Sequence, residues 1–243
     1  MRLLIIRHGD PNYEIDSLTE RGWKEAKLLS ESLIHTKIDY FYCSPLGRAK
    51  DTASFTLEKF GKEAKVYDWL QEFPARIDKP DISGDKSIAW DWLPEDWACE
   101  PRFFDKDLWK TVPCMMEGHV GELYDEVCRN FDLLLAEHGY VRDGMIYRVE
   151  QANDDTLAFF CHYGLGCVLL SHLMNVSPMV LWHGFCAAPT SVSSVYTEER
   201  REGKAYFRAN CLGDTSHLFV AGEAASKHAR FCEMYVNADE RHD

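Results

Sequence analysis

Two histidines stand where short apolar runs of the sequence end. The run Met1–Ile6 leads into Arg7-His8-Gly9, and the run 156–161 leads into His162-Tyr163-Gly164. Short aliphatic runs of this kind are typical of strands buried on both faces of a parallel sheet. Ligands of open α/β sheets bind beyond the carboxyl ends of the strands. Both imidazoles are therefore predicted to face one site, beside the guanidinium of Arg7.

A second arginine follows another apolar run. Residues 38–43 predict a strand, and Ser44-Pro45 predicts a helix that begins with Ser44 as its N-cap and ends near Gly61. Arg48 then lies in the first turn, where its guanidinium and the free backbone N–H groups can converge on an anion. Read alone, an arginine on a helix is more often a solvated surface charge.

These residues carry a resemblance to a known family. Arg7-His8-Gly9 after an N-terminal strand resembles the histidine phosphatase superfamily, in its phosphoglycerate-mutase-like branch. Three more segments match in the family's order, namely Ser44-Pro45-Leu46-Gly47-Arg48-Ala49 with Thr52-Ala53, Leu70-Gln71-Glu72 and Cys161-His162-Tyr163-Gly164. The resemblance covers roughly residues 1–72 and 120–220.

The resemblance implies a three-layer α/β fold, with a mostly parallel sheet flanked by helices. It also implies hydrolysis of a phosphomonoester through a phosphohistidine on His8, with a small phosphorylated metabolite as substrate and with no metal or other cofactor. The catalytic residues would be His8, Arg7, Arg48, Glu72 and His162, and the substrate-binding residues Gly9, Asn12 and Tyr163.

The expected chemistry follows from the side chains. Arg7 and Arg48 would neutralise the phosphoryl oxygens, which is the main task in catalysing phosphoryl transfer. Nearby positive charge keeps His8 neutral and nucleophilic by lowering its pKa, and His162 would donate a hydrogen bond. Glu72 is the candidate proton donor by resemblance only. The alternatives left open are acids of the following segment: Glu95, Asp96, Glu100, Asp105 and Asp107.

Two departures from the family pattern leave the substrate open. Pro11 stands where a Ser or Thr is common, with Asn12 as a substitute contact, and the usual Gly-Glu-Ser before the long helix is Gly121-Glu122-Leu123. Acids outnumber basic residues in the segment 74–119, which favours a phosphatase over a phosphomutase that must hold a second anionic group. A phospholigand-binding module without turnover is the third alternative.

The remaining pattern predicts one domain over 1–243. Helices are expected at about 19–35, with Ser17 or Thr19 as N-cap, and at 44–61, 120–138, 164–174 and near Val180. Strands are expected at 38–43, 65–69, 145–149, 156–161, 191–197 and 204–210. His183 and His217 lack the strand-end setting and are expected to be structural.

Residues 74–119 do not fit the core pattern. Five prolines and four tryptophans interrupt this segment, and no helical or strand period is sustained. It is too aromatic for a disordered linker and too interrupted for a core element. We interpret it as an inserted lid.

Composition limits the partners. A net charge of −13 argues against nucleic acid or an anionic membrane, since both are bound by basic surfaces. Nine scattered cysteines without a CxxC pair argue against a zinc ribbon and a disulfide framework. With no apolar run of membrane-spanning length and no leader recognised, a cytoplasmic protein is expected. The oligomeric state is left open.

Overall fold

A computed structural model describes residues 1–81, 86–228 and 230–240. In chain order its strands are β1 (Arg2–Arg7), β2 (Pro11–Asn12), β3 (Ser17–Leu18), β4 (Tyr40–Cys43), β5 (Lys65–Val66), β6 (Arg76–Ile77), β7 (Ser87–Ile88), β8 (Tyr140–Asp143), β9 (Ile146–Val149), β10 (Thr156–Cys161), β11 (Val192–Arg201) and β12 (Lys204–Asp214). Its α-helices are α1 (Glu20–Leu33), α2 (Gly47–Phe60), α3 (Pro94–Trp97), α4 (Pro113–Glu117), α5 (Val120–Glu137), α6 (Tyr163–Met174), α7 (Pro178–Gly184) and α8 (Ser216–Val220). Short 3-10 turns span Asp68–Leu70, Pro101–Phe104 and Leu108–Thr111.

The central sheet is mixed, in the order β5-β4-β10-β1-β11-β12-β9-β8. Strands β5, β4, β10 and β1 are parallel, and each later neighbour pairs antiparallel. Because β1 and β10 are adjacent and Arg7 pairs with Cys161, the next residue of each strand, His8 and His162, leaves the sheet at the same edge.

Alternate residues of the parallel strands pack into two different clusters. Leu3 and Ile5 join the side covered by α5, α6 and α7, whereas Leu4 and Ile6 join the side covered by α1 and α2. This is the period-two alternation of a strand that is buried on both faces. It confirms the α/β architecture of a sheet between two helical layers.

Several boundaries differ from the sequence prediction. Helix α2 begins at Gly47 with Leu46 in the N-cap position, so Pro45 precedes the helix and Ser44 is not its N-cap. Thr19, not Ser17, caps α1, since its side chain accepts from the backbone N–H of Gly22. Strand β5 covers only two of the five predicted residues, and β8 was not predicted.

The inserted segment 74–119 holds the hairpin β6–β7, the helices α3 and α4, and two 3-10 turns. Its buried side chains, among them Trp92, Phe103 and Trp109, belong to the same apolar cluster as Leu3 and Ile5 of the sheet. Residues 82–85 of the insertion lie outside the described residues. The function of this segment as a lid stays a prediction.

The C-terminal segment, residues 221–240 except 229, returns over the site edge of the sheet. The Glu223 carboxylate pairs with Lys24 at 2.5 Å, and the Ser226 hydroxyl donates to the carboxylate of Asp10. The carbonyl of His228 lies 3.5 Å from Nη1 of Arg7. Among the described residues, no helix combines the length and apolar character needed to cross a bilayer.

Candidate active site

The two histidines meet where the pairing of β1 and β10 places them. Their ring centroids lie 5.1 Å apart at an interplanar angle of 58°. His8 is 2% exposed and His162 1% exposed. The predicted convergence of the two imidazoles at one edge of the sheet is therefore present in the structure.

The backbone fixes the tautomer of His8. Nδ1 lies 2.7 Å from the carbonyl oxygen of Gly9, to which it donates its proton, so the lone pair lies on Nε2. Burial, and next the charge of Arg7, hold the pKa of His8 well below its usual 6.5. A neutral imidazole with a free lone pair is the nucleophilic form.

Gly9 holds His8 in place through the hydrogen bonds of its backbone. Its backbone N–H donates to Oγ1 of Thr52 in α2 at 2.8 Å, and its carbonyl oxygen accepts the hydrogen bond from Nδ1–H of His8. A Cβ on Gly9 would lie 2.9 Å from the carbonyl oxygen of Gly22. The glycine therefore permits a close approach between the strand end and α1.

His162 is oriented by Ser44, the residue that follows β4. The Ser44 hydroxyl lies 2.7 Å from Nε2 of His162 and accepts from the backbone N–H of Leu46 at 3.2 Å. Among the described residues the Ser44 proton has no acceptor other than Nε2, so we assign Ser44 as the donor of this hydrogen bond, which leaves the imidazole proton on Nδ1. Nδ1 is buried, and no hydrogen-bond partner for it is found in the described parts of the chain. Burial, followed by the charge of a protonated His8, lowers the pKa of His162.

Both arginines are buried beside the imidazoles. Arg7 is 4% exposed, and its Nη1 donates to the carbonyl of Ala187 at 2.5 Å. Arg48 is 9% exposed, and its Nη1 pairs with Asp16 at 2.5 Å. The Nε groups of both arginines are buried without a hydrogen-bond partner within the described residues. They are donors available to an anion.

Glu72 reaches the site from the 3-10 turn after β5. Its Oε1 accepts from the backbone N–H groups of Phe73 at 2.9 Å and Leu165 at 3.0 Å. Burial raises the pKa of Glu72 despite these hydrogen bonds and the charges of Arg7 and Arg48. A carboxyl group with a raised pKa next to a cationic site is suited to proton donation.

Two of the five alternative acids of the insertion, Glu100 and Asp105, are engaged in local contacts. Glu100 forms an ion pair with Arg102 at 2.7 Å, and its hydrogen bonds with Arg102 hold its pKa at about 2. Asp105 accepts from the backbone of Asp107 and Leu108, which lowers its pKa. Both carboxyls are thus held in the ionised form, which cannot donate a proton.

Two candidate substrate contacts, Asn12 and Tyr163, each have a polar atom that is hydrogen-bonded within the protein. Oδ1 of Asn12 accepts from the backbone of Glu14 at 3.1 Å. The Tyr163 hydroxyl donates to the carbonyls of Trp182 and Phe185, at 2.6 and 2.8 Å. The Tyr163 ring, 5.6 Å from the Arg7 guanidinium carbon, is the part that faces the site.

Three side chains at the site were not singled out from the sequence as site residues. Ser44 was given only a capping role, Tyr13 lies with its ring centroid 5.3 Å from the Arg48 guanidinium carbon, and Asp16 pairs with Arg48. The position of Ser44 directly after a strand beside β10 was a signal that could have identified it. Tyr13 and Asp16 lie in a polar loop whose path the sequence pattern did not define.

The arrangement is an anion site with a nucleophile. The imidazoles of His8 and His162 are in contact, and the charges of Arg7 and Arg48 act on both rings and on the carboxyl of Glu72. A phosphoryl group is the anion whose transfer needs these groups. Among the described residues, no group of three or more His, Cys, Asp or Glu side chains could hold a metal ion.

Residues 3–208 match the histidine phosphatase superfamily (branch 1), and the chain belongs to that superfamily. This confirms the resemblance found in the motifs.

Individual relatives are more distant. An adenosylcobalamin/alpha-ribazole phosphatase of Salmonella typhi is 24% identical over 197 residues, which are 75% of this chain and 84% of the relative. A phosphoserine phosphatase of Entamoeba histolytica, solved with phosphoserine, superimposes with a TM-score of 0.57 at 16% identity, covering 89% of this chain and 98% of that one. A mycobacterial glucosyl-3-phosphoglycerate phosphatase gives 0.56 at 18% identity, covering 88% and 99%. These structural matches show the shared fold.

Proposed function

We propose that this protein is a phosphomonoesterase that works through a phosphohistidine on His8. The observation that carries the proposal is the Nε2 lone pair of a neutral, buried His8, fixed by the hydrogen bond of Nδ1 to Gly9. The charges of Arg7 and Arg48 act on this imidazole, and the Nε–H groups of both arginines have no partner among the described residues. A nucleophile close to two cations is suited to attack on a bound phosphoryl group.

In the first step Nε2 of His8 attacks phosphorus in line, and the bond from phosphorus to the ester oxygen breaks. Glu72 gives its proton to the departing oxygen, so the alcohol leaves neutral. Arg7, Arg48 and Nδ1–H of His162 stabilise the charge on the phosphoryl oxygens.

In the second step a water molecule attacks the phosphohistidine. The ionised Glu72 takes a proton from this water, the phosphorus–nitrogen bond breaks, and inorganic phosphate leaves. His8 and Glu72 return to their starting protonation states. One group thus acts as acid and then as base, as microscopic reversibility requires.

The proposed substrate is a small phosphorylated metabolite selected under the inserted segment 74–119 acting as a lid. The relatives named above, which include alpha-ribazole and phosphoserine phosphatases, support a phosphatase over the phosphomutase alternative. The excess of acids in the insertion also disfavours a second anionic group on the substrate. The cytoplasmic location stays a prediction.

The proposal is tested by phosphate release from a panel of phosphorylated metabolites. His8→Ala is expected to abolish release for every substrate that the wild type hydrolyses. His172→Ala is the matched control, because His172 pairs with Asp132 in another part of the fold and should leave release unchanged. Release that persists in His8→Ala would refute the proposal. Tight ligand binding without turnover in the wild type would instead favour the binding-module alternative.

The pH dependence tests Glu72. The pKa of His8 is lowered below 6.5 and that of Glu72 is raised above 4.5. The reaction needs neutral His8 and protonated Glu72, so kcat/KM falls at low pH as His8 gains a proton and at higher pH as Glu72 loses one. Glu72→Gln should slow alkyl phosphate hydrolysis by about 10²–10⁴-fold and remove the limb due to Glu72.

The low-pH limb due to His8 should remain in Glu72→Gln. The substrate phosphate itself titrates at about pH 6, so a high-pH limb that persists in Glu72→Gln belongs to the substrate. Glu100→Gln is the matched control from the insertion. An unchanged rate and profile in Glu72→Gln would assign the proton transfer to another acid.

A further inference from the structure

Trp90, from the inserted segment, brings an unused hydrogen-bond donor to the site. Its indole Nε1 is buried, and no hydrogen-bond partner for it is found in the described residues. The ring contacts that of Tyr163 at a centroid distance of 5.5 Å and that of Phe231 at 6.2 Å. A buried N–H without an acceptor is destabilising, so such a group calls for a ligand or water.

The indole N–H lies next to the proposed proton donor. A Cβ built on Gly164, in the first turn of α6, would lie 2.6 Å from Nε1 of Trp90 and 2.8 Å from Oε1 of Glu72. The donor and the carboxyl therefore flank the same backbone position. A leaving-group atom close to the ester oxygen, which Glu72 is proposed to protonate, would therefore lie near the indole N–H of Trp90.

The backbone around Trp90 is held by defined contacts. The buried ammonium of Lys79 donates to the carbonyls of Trp90 and Asp91 at 2.8 and 2.5 Å. The backbone N–H of Trp92 donates to Nε2 of His183 at 3.1 Å. The indole is thus presented by a fixed piece of the insertion, which is what selective recognition requires.

The neighbouring space carries negative charge. Phe231 also lines a cavity of about 450 Å³ between the insertion and the C-terminal segment. Among the described residues its lining includes the acids Asp81, Asp91, Glu95 and Glu233 and no lysine or arginine. A leaving group that extends from Trp90 past Phe231 into this cavity would meet these carboxylates, which oppose a carboxylate or a second phosphate and can accept hydrogen bonds from hydroxyl groups.

We propose that the Trp90 indole N–H is a specificity determinant that donates a hydrogen bond to a neutral oxygen of the leaving group, close to the ester oxygen. The favoured substrates are then phosphomonoesters of hydroxylated, uncharged alcohols. This inference rests on the proposed phosphatase function and names the substrate class of that site.

The test compares two substrates that differ in their hydroxyl groups, glycerol 1-phosphate and propyl phosphate. The wild type should prefer glycerol 1-phosphate, and in Trp90→Phe the ratio of the two kcat/KM values should fall about tenfold, the usual effect of one lost hydrogen bond. 3-Phosphoglycerate, which adds a carboxylate, should be a poorer wild-type substrate than glycerol 1-phosphate. An unchanged ratio in Trp90→Phe would overturn the inference.

The matched control is Trp109→Phe. The Trp109 indole N–H is also buried without a partner in the described residues, but its ring packs in the core against Tyr124 and Trp182. This variant should keep the wild-type ratio. If Trp90→Phe fails to fold, replacement of Trp90 by benzothienylalanine, which has sulfur in place of the N–H, provides the same comparison.

His8→Ala separates the two proposals. If His8→Ala hydrolyses neither substrate while Trp90→Phe keeps the wild-type ratio, the inference alone fails. If His8→Ala still hydrolyses both, the proposed function fails, whatever the ratio.

Discussion

At the scale of single residues, the site depends on where two protons lie. The carbonyl of Gly9 holds one on Nδ1 of His8, and the hydroxyl of Ser44 places the other on Nδ1 of His162. The same ring type thus serves as nucleophile in one case and as hydrogen-bond donor in the other. Both rings are buried and neutral, so burial does not distinguish them. Their different roles arise from their hydrogen-bond partners, the Gly9 carbonyl for His8 and the Ser44 hydroxyl for His162.

Ser44→Ala tests this assignment. Without the hydroxyl, Nε2 of His162 loses its donor, and the proton is no longer held on Nδ1. We expect kcat to fall about tenfold, which corresponds to a lost hydrogen bond of about 1.4 kcal/mol. Ser30→Ala is the control, since Ser30 is a buried serine that donates to the carbonyl of Lys27 in α1. Equal kcat values in Ser44→Ala and the wild type would contradict the assignment.

The sequence alone could identify Arg7, His8 and His162, because each follows or ends a strand whose apolar pattern is clear. It could not assign the tautomers, since these depend on a carbonyl direction and on Ser44, which is 118 residues away from His162. The role of Trp90 was also hidden, because its partners come from α6 and from the C-terminal segment.

At the scale of elements, the C-terminal segment and the loop after α7 meet over Arg7. Arg7 donates to Ala187 of that loop, and its Nη1 also lies near the carbonyl of His228. Cys186 of the loop and Cys232 of the segment have their sulfur atoms 3.8 Å apart, and both residues are exposed. The loop after α7 and the C-terminal segment are therefore close enough to be linked by a disulfide bond between these two cysteines.

Oxidised glutathione is expected to join Cys186 and Cys232. The two thiols lose two protons and two electrons, and the glutathione disulfide is reduced to two thiols. The sulfur atoms need to approach to about 2.05 Å. Burial, and next Cys232, raise the pKa of Cys186 to about 11, so the reaction is best followed at mildly alkaline pH.

The disulfide should lower kcat/KM, because it fixes the C-terminal segment over Arg7, and dithiothreitol should restore the activity. Cys232→Ser should be insensitive to the oxidant, whereas Cys99→Ser, at an exposed cysteine of the insertion, should respond like the wild type. A disulfide detected by mass spectrometry without any change in kcat/KM would contradict this prediction.

Element boundaries followed the sequence where the apolar period was regular. Strand β10 has the predicted bounds, and α2 ends at the predicted Gly61, whose φ of 58° suits glycine. The predicted start of α2 was wrong, because the Ser44 hydroxyl forms hydrogen bonds with His162 and Leu46 and does not cap the helix. No regular apolar pattern predicted β8, which is a strand at the edge of the sheet.

At the scale of the whole molecule, several histidines are kept neutral by burial. His217 is 8% exposed, its Nε2 lies 3.0 Å from Oγ1 of Thr190, and burial lowers its pKa to about 4. In the unfolded chain a histidine has a pKa of about 6.5. Between these values the unfolded state binds a proton that the folded state does not, so stability falls as the pH decreases.

His217→Gln tests this linkage. At pH 5 the buried His217 should cost about 2 kcal/mol of stability relative to pH 7. The difference in the free energy of unfolding between pH 7 and pH 5, measured with urea, should therefore be about 2 kcal/mol smaller in His217→Gln than in the wild type. The same pH dependence of the unfolding free energy in both proteins would show that His217 does not cause the loss of stability at low pH.

The central claim is that phosphorus becomes covalently bound to Nε2 of His8. The most direct measurement mixes Glu72→Gln with p-nitrophenyl phosphate, quenches in alkaline detergent and maps the phosphoryl group by mass spectrometry. An aryl leaving group needs little help from an acid, whereas hydrolysis of the phosphohistidine lacks its base, so the intermediate should accumulate. We predict phosphohistidine at position 8, and its absence from His8→Ala. Release of p-nitrophenol from an enzyme that never carries phosphate on His8 would contradict the account.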